Sequence, residues 1–252
     1  MLENFHTHLP YCGHASGTAL EYIKQAEALQ FRALGFSDHS PVPSHMYGVQ
    51  GFKMKESELS LYRDEVLSAK KEATIPIYLG MEVDIISQEK AYLEEVLIPQ
   101  LKPDYLLGSI HYIRLGDGSY ADLGSIESAK HFDLYIEQLR WAITQPHFLF
   151  IGHADRVIMN DYVQKNDASL RDVWQAIAKL AKAHNKPMEF NTSAPLHRSE
   201  VFWQEMLREQ VSVLVSSDAH APSRLGYGLV EGYAWLEKHG AQIVYGSELL
   251  SK

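Results

Sequence analysis

Ile75-Pro76-Ile77-Tyr78-Leu79-Gly80-Met81 is an apolar run of strand length, and it delivers Glu82 at its far end. Short apolar runs rich in β-branched residues read as buried strands. A carboxylate at the end of such a strand is costly to bury unless it is paired or metal-bound. The same arrangement recurs along the chain: Leu2–Phe5, Ala33–Ser37, Tyr105–Ile110, Phe148–Gly152, Pro187–Phe190 and Val211–Ser216 are expected to form further strands. Between them, residues 18–28, 57–73, 89–100, 126–144, 169–184, 199–209 and 230–239 space their apolar side chains at helical intervals. Thr18 and Glu21 form a capping-box signature at the first of these helices.

Strand–helix alternation implies a parallel sheet covered by helices. Seven strands are one short of the common eight-stranded barrel, and Gln242–Tyr245 is a short candidate for an eighth with no helix after it. A doubly wound open sheet would gather ligands mainly at one switch point. Here nearly every strand end contributes one. The expectation is a single α/β domain over residues 1–252, a distorted (β/α)7 TIM-like barrel with its active site at the C-terminal ends of the strands.

The bulk numbers narrow the function. With 46% hydrophobic residues the chain has ample material for a core, and a formal charge of −9 argues against a phosphate-backbone binder. No nucleic-acid partner is expected. An anionic small molecule is not excluded, because bound divalent cations would concentrate positive charge inside a site. Cys12 is the only cysteine, so intrachain disulfides and Cys-rich zinc modules are ruled out. MLENFHTH has no charged region followed by an apolar run, and no stretch approaches the roughly 18 apolar residues of a membrane span. A cytoplasmic, membrane-free protein is expected; oligomeric state is not legible.

Seven of the thirteen histidines, with Glu82 and Asp218, follow the short apolar runs. His6 and His8 share a period-2 spacing, so on an extended segment both project to one side. Alone, that pair is weak evidence. It gains weight from Asp218-Ala219-His220 after the last long strand, a neighbour of the first in a closed barrel. His39, His111 and His153 each terminate a strand, and Asp38 and Asp155 lie beside two of them as candidate acceptors that orient imidazoles. His14 stands in the Cys12-Gly13-His14 loop, where Cys12 reads as incidental. Glu189 lies slightly before the end of its strand, a candidate for supporting a ligand or touching substrate. His184 and His239 read as helix C-terminal residues suited to the macrodipole. His45 and His197 fall in loops on the proposed active face, with Tyr47, Tyr120, Asp122 and Asn191 as further rim candidates. Residues 40–55 form a long loop over that face.

Together, His6-x-His8, His14, Asp38-His39, Glu82, His111, His153 and Asp218-x-His220 resemble the motifs of the polymerase and histidinol phosphatase (PHP) superfamily. The match runs from residue 6 to residue 220 with all nine ligand positions occupied. The resemblance implies a distorted seven-stranded β/α barrel holding two or three divalent ions, zinc, iron or manganese. It implies one ion on His6, His8, Glu82 and Asp218. A second would share Glu82 with His111 and His153, and a third would sit on His14, His39 and His220. Within the superfamily the chain looks most like the stand-alone histidinol-phosphate phosphatases. That branch implies a phosphomonoester substrate, with Arg156 and Arg198 on its phosphate; Asn191, Glu189 and His45 are further candidate contacts by their places in the chain. The Ala194–Arg198 wording departs from the branch and weakens the assignment of Arg198.

The expected reaction is hydrolysis of L-histidinol phosphate, in histidine biosynthesis. A hydroxide bridging two ions is the expected nucleophile, since coordination lowers the pKa of water from 15.7 to about 7. Arg156, Asp218 and His220 are the expected catalytic groups; for the leaving alkoxide, the sequence does not choose between the last two. The alternatives are a PHP phosphoesterase acting on nucleotides, sugar phosphates or a phosphotyrosyl protein, and a metal-binding module without turnover.

Overall fold

The computed structural model describes residues 2–49, 52–193 and 199–251, without the side chains of 47–49. The frame is one parallel sheet. Strands β1 (Glu3–Asn4), β2 (Ala33–Phe36), β3 (Ile77–Asp84) and β4 (Tyr105–Ser109) come first in the chain. An antiparallel pair, β5 (Tyr112–Arg114) and β6 (Tyr120–Asp122), stands apart. Strands β7 (Phe148–Ile151), β8 (Met188–Asn191), β9 (Ser212–Ser216) and β10 (Gln242–Ile243) complete the eight-stranded sheet, in the order β1-β2-β3-β4-β7-β8-β9-β10. It curls into a half-barrel, and beyond their strand ends Thr7 and Ala219 pair directly, joining the flanks at the top.

The period-2 alternation of the strands divides two cores. Met81, Val83, Leu106, Met188, Phe190, Val213 and Val215 face outward into the main cluster beneath the helices. Phe5, Tyr105, Leu107, Phe150 and Leu214 form a smaller cluster inside the curl. Tyr105 is the central piece: its hydroxyl donates to the carbonyls of Phe5 (2.8 Å) and Phe36 (3.1 Å). Gly35 and Gly80 exist where a Cβ would run into that tyrosine. The interior is therefore apolar at the bottom, and the polar positions on the same inward rows, Glu82 and Glu189, stand above it.

The main helices, Ala19–Ala28, Leu59–Ala69, Ala129–Thr144, Arg171–Ala183, Glu200–Arg208 and Leu229–Lys238, cover the outside. The Thr18–Glu21 capping box forms at the first. No helix among the described residues is long and apolar enough to cross a membrane.

The strand count differs from the expected seven. The short 242–243 segment does pair with β9, held beside β1 where Gly246 N–H and Ser247 Oγ donate to Glu3, and the four-residue helix Gly246–Leu249 follows it. Two paired residues leave almost no hydrophobic pattern to read. β3 also runs past Glu82 to Asp84, so the carboxylate lies within the strand rather than at its end. The helix expected over 89–100 is interrupted by a π-helical stretch, Leu93–Leu97.

The Tyr105 packing gives a direct check. Gly80→Ala should destabilise the fold by roughly 1–3 kcal/mol through overpacking against the ring. Urea unfolding of the purified variant measures this, and an unchanged midpoint would show that Tyr105 does not fill the interior as described.

Candidate metal centre

Glu82 is buried, with its carboxylate at the focus of imidazoles from five points of the chain. His39 Nδ1 lies 2.8 Å from Oε2, and His153 Nε2 and His6 Nε2 lie 3.0 and 3.3 Å from Oε1. His8 Nε2 and His111 Nε2 each stand 3.6 Å from one of its oxygens. Asp218 faces it from the segment after β9, with Oδ1 3.1 Å from His8 Nε2 and 3.4 Å from His6 Nε2. The two residues that must turn into the cluster carry backbone angles side chains rarely adopt, φ 24° at His153 and φ 51° at Asp218. Strain of this kind persists only where its surroundings enforce it and concentrates at functional sites.

Behind the imidazoles stand acceptors that fix their orientation. Glu189 Oε1 lies 2.7 Å from His6 Nδ1, Asp38 Oδ1 lies 3.3 Å from His8 Nδ1, and Asp84 Oδ1 lies 2.8 Å from His111 Nδ1. Backbone carbonyls do the same for His14 (Cys12, 3.2 Å) and His220 (Asp218, 3.0 Å). With Nδ1 so engaged, Nε2 is free for an ion, the arrangement expected of metal-binding histidines. Glu189 also accepts the backbone N–H of His153, and Gly152 before it leaves no Cβ to strike Ser109.

The donor set fits divalent ions on its own evidence. His6 Nε2, His8 Nε2, His39 Nδ1, His220 Nε2 and Glu82 Oε2 are buried and, close as the imidazoles and carboxylates stand, make no hydrogen bond of good geometry among the described residues. Buried polar atoms are normally paired, so a cluster of orphans aimed at one space implies a missing partner. Ligand atoms within 4.8 Å of one another are offered by His6, His8 and Glu82, by His6, His153 and Asp218, and by His8, His39 and His220. Cys12, His14 and His220 make a comparable group. The Cys12 thiol is bonded to the Leu9 carbonyl (3.2 Å), and burial raises its pKa.

The electrostatics follow from crowding. Burial would raise the Glu82 and Asp218 carboxyls, but the surrounding histidines hold both well below the usual carboxylate range. Burial would likewise depress His6, but Glu189, Asp218 and Glu82 push it up to about 10. His220 goes the other way, to about 4, through burial and the neighbouring His8. Above this floor opens a cavity of about 400 Å³ lined by His14, His39, Phe52, Lys53, His111, Tyr112, His153, Arg156, Asp218 and His220.

All nine residues marked as ligands are thus brought together. Arg156 joins them at the cavity, Nη1 3.3 Å from Asp218 Oδ2. Asn191 Nδ2 donates to that same oxygen (3.3 Å) and to Glu189 (3.2 Å). His45 is not brought in: it lies on the 44–49 turn, exposed and paired with Glu89 (2.9 Å), and the part-buried Tyr120 of β6 donates to the same carboxylate (3.3 Å). Asp122 caps the turn Leu123–Ser125 instead, and Asp155 accepts the Trp203 indole N–H (2.7 Å). Arg198 and His197 lie outside the described residues, as does the Tyr47 side chain. Sequence reasoning missed Lys53 and Asp84. Asp84 had a signal, since it stands two residues after Glu82 on the same face of an extended strand.

The curled sheet and this cluster define a His/carboxylate metal-centre protein. The PHP domain family model matches residues 4–193, and the chain belongs to that family. It is 25% identical to a Deinococcus radiodurans protein named "Probable histidinol-phosphatase", over 95% of this chain and 94% of that one. It is 23% identical to the Bacillus subtilis histidinol-phosphatase, over 88% and 94%. In fold it is similar to the Lactococcus lactis histidinol phosphate phosphatase solved with zinc, L-histidinol and phosphate, with a TM-score of 0.72, 17% identity and coverage of 96% and 95%.

The raised pKa of His6 sets a pH dependence for metal uptake. In the metal-free fold His6 keeps its proton from the ordinary 6.5 up to about 10, a stabilisation fully present below 6.5 and lost as pH rises through about 10. An ion must displace that proton and the one on His8, which Asp218 and Asp38 hold well above the ordinary value against its burial, so zinc affinity should climb at least tenfold per pH unit across this window. Chelator competition at pH 7 and 9 measures it, and equal affinities at the two would contradict a protonated His6.

Proposed function

We propose that this protein is a metal-dependent phosphomonoesterase that hydrolyses L-histidinol phosphate to L-histidinol and phosphate. The observation that carries the phosphatase reading is the Glu82 carboxylate set among five imidazoles below an open cavity that also presents Arg156. Family membership and the similarity to two proteins named as histidinol phosphatases point to the substrate.

Two or three zinc, iron or manganese ions would be held by His6, His8, His14, His39, Glu82, His111, His153, Asp218 and His220. Bound there, they would polarise the phosphoryl group and make water nucleophilic at neutral pH. Arg156 is nearly half exposed, with its guanidinium over the cavity, placed to grip the phosphate with its planar fork. Asp218 divides its two oxygens between jobs: Oδ1 faces the histidines and Oδ2 faces Arg156 and Asn191. Because its carboxyl stays ionised, Asp218 carries no proton to give the leaving alkoxide. Asn191 and Glu189 act from behind, steadying Asp218 and His6. Arg198 is retained as a second phosphate contact. The work is done at small-molecule scale, in the cytoplasm.

Phosphate release from L-histidinol phosphate, run beside nucleotides, sugar phosphates and phosphotyrosyl peptides, tests this. The expected kcat/KM is far higher for histidinol phosphate, and Arg156→Ala should lower it on the order of 100-fold. A profile that favours another phosphomonoester would keep the metal centre and discard the substrate. No turnover across the panel by metal-loaded protein would discard the phosphatase.

A further inference from the structure

Lys53 is an unusual residue to find in the wall of this cavity. Its side chain is almost fully buried at 3% exposure, and its ammonium is paired with Asp84 Oδ2, itself buried. Taking an ammonium out of water is costly unless it is well paired. The same ammonium stands 5.4 Å from the centre of the Tyr112 ring, a second favourable contact for a desolvated cation. Asp84 is occupied on its other oxygen, where Oδ1 lies 2.8 Å from His111 Nδ1. His111 in turn aims Nε2 at Glu82 Oε1, 3.6 Å away. The four groups form one line from the loop to the centre of the cluster. Lys53 comes from outside the sheet: it follows Phe52 in the segment leading to the helix Leu59–Ala69.

We propose that Lys53 is a positioning residue of the metal centre: its ammonium holds Asp84, and Asp84 holds the His111 imidazole with Nε2 toward Glu82. The proposal rests on reading the cluster as a metal centre and is independent of the substrate. Without Lys53 the buried Asp84 carboxylate keeps one partner, the half-buried His111, where it had two. It then turns toward the water of the cavity and releases His111. The pair also ties the segment bearing Phe52, whose ring lies 4.8 Å from His14, to the ligand set.

The test is a double-mutant cycle read on zinc affinity by chelator competition in the full chain, with no substrate present. Lys53→Met and Asp84→Asn are each expected to weaken the ion served by His111 by about 10–100-fold, the usual effect of losing a group that orients a ligand. Because Lys53 acts through Asp84, the double variant should bind no more weakly than Asp84→Asn alone. Wild-type affinity in Lys53→Met, or losses that multiply in the double variant, would overturn the proposal. If Lys53→Met fails to fold, Lys53→Gln, which can still donate to Asp84 but carries no charge, is read in its place with Asp84 intact, and zinc affinity equal to the parent's would overturn the proposal. A parent chain that binds no zinc would overturn the metal centre and this role with it, while a failed phosphatase assay leaves the result standing.

Discussion

A buried carboxylate among five imidazoles is the interaction on which the rest of this structure depends. Glu82 sits in the interior of a curled sheet, and nothing apolar could tolerate it there unpaired. The histidines that compensate it come from β1, β2, β4 and β7 outward, so the sheet must curl for them to meet. The backbone accommodates this with positive φ at His153 and Asp218, and glycines at 80 and 152 keep the interior clear for Tyr105 and Ser109. Without a bound cation the cluster is left with orphaned ring nitrogens and crowded, shifted pKa values. Divalent ions resolve both at once, since they supply the missing partner and replace protons that the imidazoles would otherwise share with the carboxylates.

The carboxylates and carbonyls behind the imidazoles show a division of labour. Glu189, Asp38 and Asp84 each take one Nδ1, which leaves the other ring nitrogen committed to the centre. Asp218 differs in spanning both regions, with one oxygen toward the ligands and one toward Arg156. A site built this way has a stiff floor and an open mouth. The histidines and carboxylates make the floor, and Phe52, Tyr112 and Arg156 stand at the mouth.

The strand ends were legible in sequence because a parallel strand buried on both faces leaves a continuous apolar run, and a polar residue at its end breaks that run visibly. His39, His111 and His153 all announce themselves in this way. Helices read well for the related reason that one apolar stripe repeats at a fixed interval. β10 escaped because two residues carry no pattern, and the β5–β6 pair because three-residue strands read as loop. Asp84 was hidden by the assumption that β3 stops at Glu82. Lys53 had no local signal at all: it reaches Asp84 through the path of a loop, and only tertiary structure shows it. His45 failed in the opposite direction, since lying in a loop on the active face does not fix which way a side chain turns.

The central claim is that ions bind around Glu82. Anomalous diffraction from crystals of the zinc-loaded protein, collected at the zinc edge, tests it most directly. The account predicts two or three peaks, with Glu82 shared between two of them and the remaining ligands drawn from the histidines and Asp218. Peaks only at the surface, with no ion touching Glu82, would contradict it.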